Sequence, residues 1–373
     1  MASYIVAGAG ILGASAAYHL AKAGETVTLI DREEPAQATH AAAGIICPWL
    51  TNRRSVPWYK LALNGAAQYG GLVHELEASG AAETGFARVG TLRLHTDEDE
   101  LKRMEELAYE RREAAPTMGE IHRMPPGQAA EEFPVLDEAY GAVRITGGGR
   151  VNGRAMRDAL ITGAKAHGAR VLYGDAQPVT RGTTVTGVDV DGENVEADAV
   201  ILCTGAWMHE AMESLGYHFL IRPQRAQILH MDTGWEDSGH WPVIMPPSNH
   251  YMLAFDGGRI VTGATHENKV GFDARTTAGG VHNLLTKALN TAPGLEDSTL
   301  AETRVGFRPM TPDSLPLFGP APYHEGLFLA NGLGASGLTT GPYIGKEIAN
   351  MAMDRPIDVD PADYEISKGL RNR

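Results

Sequence analysis

The chain has 373 residues, 43% hydrophobic and 21% charged, proportions of a globular protein long enough for two cores. Its 32 basic against 46 acidic residues give a net charge of −14, which argues against nucleic acid and anionic membrane surfaces as partners but allows a locally basic pocket. Two cysteines, Cys47 and Cys203, supply neither a disulfide framework nor a zinc set, and no apolar run approaches the ~20 residues of an integral membrane span. A glycine-rich turn and a helix follow Met1 almost at once, so no signal peptide and a cytoplasmic location are expected.

Residues 4–7 read as a short apolar strand that runs into Gly8-Ala9-Gly10-Ile11-Leu12-Gly13, a G-x-G-x-x-G turn opening a helix that ends near Gly24. A second strand, 26–30, stops at Asp31. Gly8 permits the tight turn, Gly10 lets the backbone approach a pyrophosphate, and Gly13 lets helix and strand pack closely. The pyrophosphate then sits on the positive end of the helix, and Asp31 accepts hydrogen bonds from ribose hydroxyls. The glycine motif alone is a weak signal. Strand, glycines, helix, second strand and terminal acid in order predict dinucleotide binding, whereas an ordinary glycine-rich turn would leave Asp31 without a role.

Thr39-His40-Ala41-Ala42-Ala43-Gly44 follows, a run of small residues whose amides can approach cofactor oxygens. His40 within it is either a plain loop histidine or a group facing the cofactor. Residues 58–79 form a helix with Tyr69, Leu72, Val73 and Leu76 on one face. A strand at 88–95 and a helix at 98–114 come next, the latter with Leu101, Met104 and Leu107 or Ala108 inward. Gly147-Gly148-Gly149 marks a boundary, after which a helix at 154–167, a strand at 170–173 and an apolar strand ending in Thr204-Gly205-Ala206-Trp207 resume βαβ grammar. Cys203, at the end of that strand, reads as buried. Ligands meet the carboxyl ends of strands in a doubly wound sheet, so Gly205 and Ala206 are placed to pass close to a cofactor.

Short strands at 227–231, 251–255 and 259–262 between Gly and Pro turns predict an antiparallel sheet. In residues 304–320, Arg308 lies between Phe307 and Pro309; its planar fork suits a carboxylate, though an ion pair with Asp313 or a surface position fits the sequence as well. A strand at 327–330 leads into a glycine-rich loop at 331–341 and a helix through Met353 with Ile344, Ile348 and Met351 on one face. Loop amides and helix start are suited to stabilise negative charge on a reduced ring system. The expected fold is α/β: a Rossmann-like cofactor domain from residues 1–50, 145–215 and 305–373, with an α+β substrate domain built on an antiparallel sheet from residues 51–144 and 216–304.

Five segments carry a family resemblance: V-A-G-A-G-I-L-G-A-S-A-A-Y-H-L-A-K-A-G-E-T-V-T-L-I-D, A-A-A-G-I-I, L-C-T-G-A-W, G-F-R-P-M-T-P-D-S-L-P-L-F-G and N-G-L-G-A-S-G-L-T-T-G-P. Through them essentially the whole chain resembles the D-amino acid oxidase (DAO) family of FAD-dependent oxidoreductases, nearest its glycine oxidase and D-amino acid dehydrogenase-like branch. The resemblance implies non-covalent FAD and oxidation of the C–N bond of a small D-amino acid, glycine or N-methyl amino acid. It implies that Gly8, Gly10, Ile11, Leu12, Gly13, Asp31 and Arg32 hold the ADP half. Thr39, His40, Ala43, Gly44 and Ile45 would line the pyrophosphate and flavin side, and Val179 would contact adenine through its backbone. Thr204, Gly205 and Trp207 would flank the cofactor, and Gly334, Ala335, Ser336, Gly337, Leu338 and Thr339 would form the loop at the flavin N1–C2=O edge. Arg308, which also borders the cofactor, and Tyr251 would clamp the substrate carboxylate, with Ile45, Asn249 and His250 beside them.

Two departures stand out. Both cysteines precede residue 204, so the covalent-flavin cysteine of sarcosine oxidases is absent. Asn249 also stands where glycine oxidases often carry histidine, which weighs against glycine or sarcosine as the preferred substrate. Competing readings are a 2-hydroxy acid oxidoreductase using His250 or His266 as base, a flavoprotein subunit of a larger dehydrogenase, and an NAD-dependent dehydrogenase, which leaves the C-terminal glycine loop unexplained. A homo-oligomer stays open.

Overall fold

The computed structural model describes residues 1–372. Ser3–Ala7 pairs in parallel with Thr26–Asp31 on one side and Ala199–Leu202 on the other. Strands covered on both faces are apolar throughout, and Ile5, Val6, Leu29, Val200, Ile201 and Leu202 are all buried. The full sheet runs Leu317–Pro320, Leu327–Asn331, Ala199–Leu202, Ser3–Ala7, Thr26–Asp31, Arg170–Tyr173, and only the edge strand Leu317–Pro320 is antiparallel. The carboxyl ends of the five parallel strands therefore share one edge.

Helices Ile11–Lys22 and Gly337–Ala352 pack together on this sheet. Their crossing is close. A Cβ on Gly345 would lie 2.5 Å from Ser15 Cβ and 2.7 Å from the Leu12 carbonyl oxygen. Ser15 Oγ donates to the Pro342 carbonyl at 2.7 Å. Pro342 has no N–H for the Leu338 carbonyl four residues earlier, and Tyr69 Oη fills that gap at 2.7 Å. The helix expected only after residue 341 thus begins at Gly337, because close packing gives its early glycines and proline a place inside it.

A second sheet has eight strands in the order Thr299–Met310, Arg222–Asp232, Arg259–Gly263, Tyr251–Ala254, Val243–Met245, Thr91–His95, Gly141–Ile145, Ile121–Met124. It is antiparallel except where Val243–Met245 runs beside Thr91–His95. Leu92, Leu94, Ile244, Met252 and Ile260 enter a core with Phe133 and Trp241. Period-two alternation turns Arg93, Met245 and Tyr251 to the opposite face, toward the first sheet.

Thr299–Met310 was not legible as a strand. Its outer half, Thr-Leu-Ala-Glu-Thr-Arg, is half-exposed and lacks apolar alternation, yet the strand pairs along the whole of Arg222–Asp232, with one register shift that skips Ala301. We propose the division into two interleaved domains on these sheet memberships, with one edge moved: a boundary at 305 would cut this continuous strand.

Gly345→Val is expected to force the two helices apart at Ser15, since neither Leu12 nor Ser15 can retreat from a buried crossing. Overpacking of this kind costs about 1–3 kcal/mol. Urea unfolding should show the loss as a lower midpoint; an unchanged midpoint would mean that the crossing is slack.

Candidate active site

The carboxyl edge of the parallel sheet opens into a cavity of about 690 Å³ that reaches the inner face of the antiparallel sheet. At one end Gly8 holds φ +97°, and a Cβ on Gly13 would fall 1.9 Å from the Gly8 carbonyl oxygen, so helix and turn meet there with no space for a side chain. Asp31 Oδ2 accepts from the Ala9 amide at 2.6 Å; Oδ1 accepts from the Glu33 amide at 2.6 Å and Gln37 Nε2 at 2.9 Å. Oδ2 keeps a lone pair for a ribose hydroxyl. Thr39 Oγ1 accepts from the Ile11 amide at 3.0 Å, tying the small-residue run to the helix start. Arg32 is held by Glu34, Asp175 and Glu210 at 2.9, 3.0 and 2.7 Å.

Along the middle, Gly205 is fixed by Asn331 Nδ2, which donates to its carbonyl at 2.8 Å. Trp207 stacks on Phe272 at 5.2 Å and meets Phe307 edge-on at 6.1 Å. Residues 334–339, at the start of helix Gly337–Ala352, line the far wall with no side-chain cap, and Thr339 Oγ1 donates to the Ile45 carbonyl at 3.0 Å. The amides of a helix's first turn have no partners within the helix. Two helix starts therefore face one cavity.

The other end belongs to the antiparallel sheet. Arg308 Nη1 donates to Gln224 Oε1 at 3.2 Å and the Thr265 carbonyl at 3.4 Å. Arg308 has no ion pair among the described residues, so the pairing with Asp313 that the sequence allowed does not form. The Tyr251 ring lies over its cross-strand partner Gly263, where a Cβ would meet Oη at 2.7 Å. Burial raises the Tyr251 pKa, and the Arg308 guanidinium pulls it back in part. His250 is buried, its Nε2 2.7 Å from Thr262 Oγ1, and burial pushes its pKa down to about 4. His266 lines the same end; loss of solvent around the ring, then the Arg308 charge, push it down to about 4. Asn249 is exposed at the rim.

Most residues expected at the site line this cavity together: Gly8, Gly10, Ile11, Leu12, Asp31, Arg32, Thr39, Ala43, Gly44 and Ile45, then Thr204, Gly205, Trp207, Asn249, His250, Tyr251, Arg308 and 334–339. Three are placed elsewhere. Gly13 lies beneath the turn and acts through packing. The His40 ring turns to Arg157 while its carbonyl accepts from Arg154 Nε at 3.1 Å, which takes it off the cavity wall. Val179 pairs with Gly187 along one edge of its strand, and Gly174, Asp175, Ala176 and Gln177 just before it form part of the wall. Sequence reasoning missed Arg53, Arg93 and Gln37. Arg93 had a signal: a guanidinium in the middle of the alternating strand T-L-R-L-H, on the face where a solvent-exposed strand would be expected.

Two buried polar atoms on the cavity wall have no partner among the described residues: Gln37 Oε1 near Asp31 and His250 Nδ1 at the opposite end. With the two helix starts, these unspent groups fit a long polar ligand whose phosphates lie against the first helix start and whose other end reaches the second. Residues 3–351 match the family model described as DAO, FAD dependent oxidoreductase. The chain belongs to the DAO family of FAD-dependent oxidoreductases, and FAD is its cofactor.

Among its relatives, the chain is 52% identical to an uncharacterized oxidoreductase, YurR, of Bacillus subtilis over 99% of this chain and 100% of that protein. Its fold is similar to the crystal structure of iminodiacetate oxidase from Chelativorans sp. BNC1, with a TM-score of 0.94 and 40% identity over 97% of this chain and 98% of that one. It is also similar to glycine oxidase from Geobacillus kaustophilus, with a TM-score of 0.86 and 26% identity over 98% and 99% of the two chains. No helix among the described residues is long and apolar enough to cross a membrane.

Asp31→Ala should weaken FAD retention by about 1.5–3 kcal/mol, the scale of hydrogen bonds to a charged group. Prolonged dialysis followed by visible absorbance measures it, and retention equal to wild type would remove Asp31 from the ribose. With His40 turned away and neither cysteine in the C-terminal third, acid precipitation should release all yellow colour from the chain; colour kept by the pellet would show a covalent link.

Proposed function

We propose that the protein oxidises the C–N bond of a small amino acid to an imine, which water hydrolyses to an oxo acid. The observation that carries this reading is Arg308, a guanidinium facing the cavity whose partners, Gln224 and Thr265, are neutral. Bound FAD would supply the acceptor for the hydride, which carries two electrons away from the substrate carbon. The Arg308 fork can take both oxygens of a carboxylate. Tyr251, kept as a neutral phenol by its raised pKa, adds a donor beside it. Together they fix the direction of the adjacent carbon and its C–H bond.

The acids that line the cavity, Asp31, Glu34, Asp175 and Glu210, all lie at the Arg32 end. Carbon–nitrogen oxidation tolerates that distribution, because a neutral amine pushes electrons from its own lone pair and asks chiefly for orientation. Oxidation of a 2-hydroxy acid asks for a base at the hydroxyl, and the two histidines at that end, both down near 4, are weak ones. Glycine and iminodiacetate, named in two of the relatives, are both amines with a carboxylate on the neighbouring carbon, which supports the same reading.

Arg308→Ala should keep its flavin spectrum and lose roughly thirty-fold to several thousand-fold in kcat/KM for amino acids, since breaking a desolvated charge pair costs about 2–5 kcal/mol. Arg308→Lys should recover only part, because an ammonium cannot make the two-pronged contact. Anaerobic reduction of the flavin by amino acids and by carboxylate-free amines checks this. Equal fold-losses for both would mean that Arg308 supports the fold or the cofactor and not the substrate.

A further inference from the structure

The cavity is electrically polar along its length. Every carboxylate on its wall gathers near Arg32, whereas Arg53, Arg93 and Arg308 line the cavity without an ion pair among the described residues. A chain with a net charge of −14 has ample acids to neutralise them, so the charge at this end is left open. Arg53 and Arg308 are partly engaged: Arg53 Nη2 donates to the Ser314 carbonyl at 2.7 Å and its guanidinium lies 4.4 Å from the Trp58 ring centroid, and Arg308 meets Gln224 and Thr265. The Arg93 guanidinium has neither hydrogen bond nor ion pair among the described residues. The Cys47 thiol near it is pushed up to about 11 by burial and brings no negative charge.

Register places Arg93 relative to the substrate clamp. Ile244 faces Met252 across one antiparallel pair, which sets Met245 beside Tyr251, and Met245 faces Arg93 across the next. Tyr251, Met245 and Arg93 thus form one row across three adjacent strands, with Arg93 roughly 10 Å from Tyr251 at about 4.8 Å per strand. Arg93 is half-buried and opens on the cavity, where a guanidinium without a protein partner is free to take an anionic group of the ligand.

We propose that Arg93 binds a second anionic group of the substrate, so that the preferred substrate is a small amine carrying two carboxylates, one held by Arg308 and Tyr251 and the other by Arg93. This rests on the amine-oxidation reading above and names its substrate class. The oxidised bond is unchanged: the Cα–N bond becomes C=N as Cα gives a hydride to the flavin and nitrogen gives up a proton. Water then cleaves the imine to an oxo acid and an amine.

The test compares iminodiacetate, whose second carboxymethyl group is on nitrogen, and D-aspartate, where it is on Cα, with glycine and sarcosine, each as reductant of the holoenzyme. One of the dicarboxylates should exceed both monocarboxylates in kcat/KM by roughly tenfold or more, on the scale of a desolvated charge contact. Arg93→Gln should cut that ratio by at least about tenfold, and Arg93→Lys should restore part of it. Turnover aside, malonate should perturb the visible spectrum of the oxidised holoenzyme at lower concentration than acetate, and Arg93→Gln should abolish the difference.

Wild type that prefers glycine or sarcosine overturns the proposal while leaving amine oxidation standing. An unchanged substrate ratio in Arg93→Gln does the same, as does a variant that loses flavin and all substrates alike, which would assign Arg93 to the cofactor. Failure of every amine to reduce the flavin removes both readings.

Discussion

The crossing of helices Ile11–Lys22 and Gly337–Ala352 sets the rest of the structure. Gly345 leaves no room for a side chain over Ser15, and Ser15 closes the contact through the Pro342 carbonyl. Two helix starts from opposite ends of the chain are thereby brought to one cavity, where their positive dipole ends favour negative charge. The glycine turn at Gly8–Gly13 alone would make a phosphate site. Joined to the start of the C-terminal helix, it makes a site for an elongated cofactor with anionic character along its length.

Charge within the cavity follows a plan that bulk composition hides. Arg32 collects three carboxylates and Asp31 is occupied with backbone amides, so the acidic end is locally satisfied. At the far end the arginines lack acidic partners, and burial disfavours the charged form of each. That electrostatic tension is relieved by an anionic occupant. A protein with a net charge of −14 can thus still hold a locally positive pocket.

The antiparallel sheet supplies the spacing. Its face toward the cofactor domain carries Tyr251 and Arg93 on a common row, with Arg308 on the edge strand Thr299–Met310. A sheet fixes such positions better than loops do, because each side chain inherits its direction from the strand and its separation from the ladder. Tyr251 reaches over Gly263 because that position bears no side chain.

Local order was legible in the sequence wherever one element carried its own signal. The N-terminal strand, turn, helix and Asp31, the apolar strand ending at Leu202, the short strands after Ile221 and the buried face of helix Val56–Ala78 each follow from periodicity or glycine placement within a few residues. Arg308 was identifiable from its apolar setting and the family resemblance, but its choice between Asp313 and an open cavity depended on where distant strands lie. The surroundings of His40 and Val179 were hidden for the same reason: Arg157, Arg154 and Gly187, which hold them, are remote in the chain or unremarkable in it. Arg93 became meaningful only once Met245 and Tyr251 stood beside it. A sequence determines which side chains are available and which way each strand alternates. Only the tertiary structure decides which charges are left without partners, because partnership is a property of the folded neighbourhood.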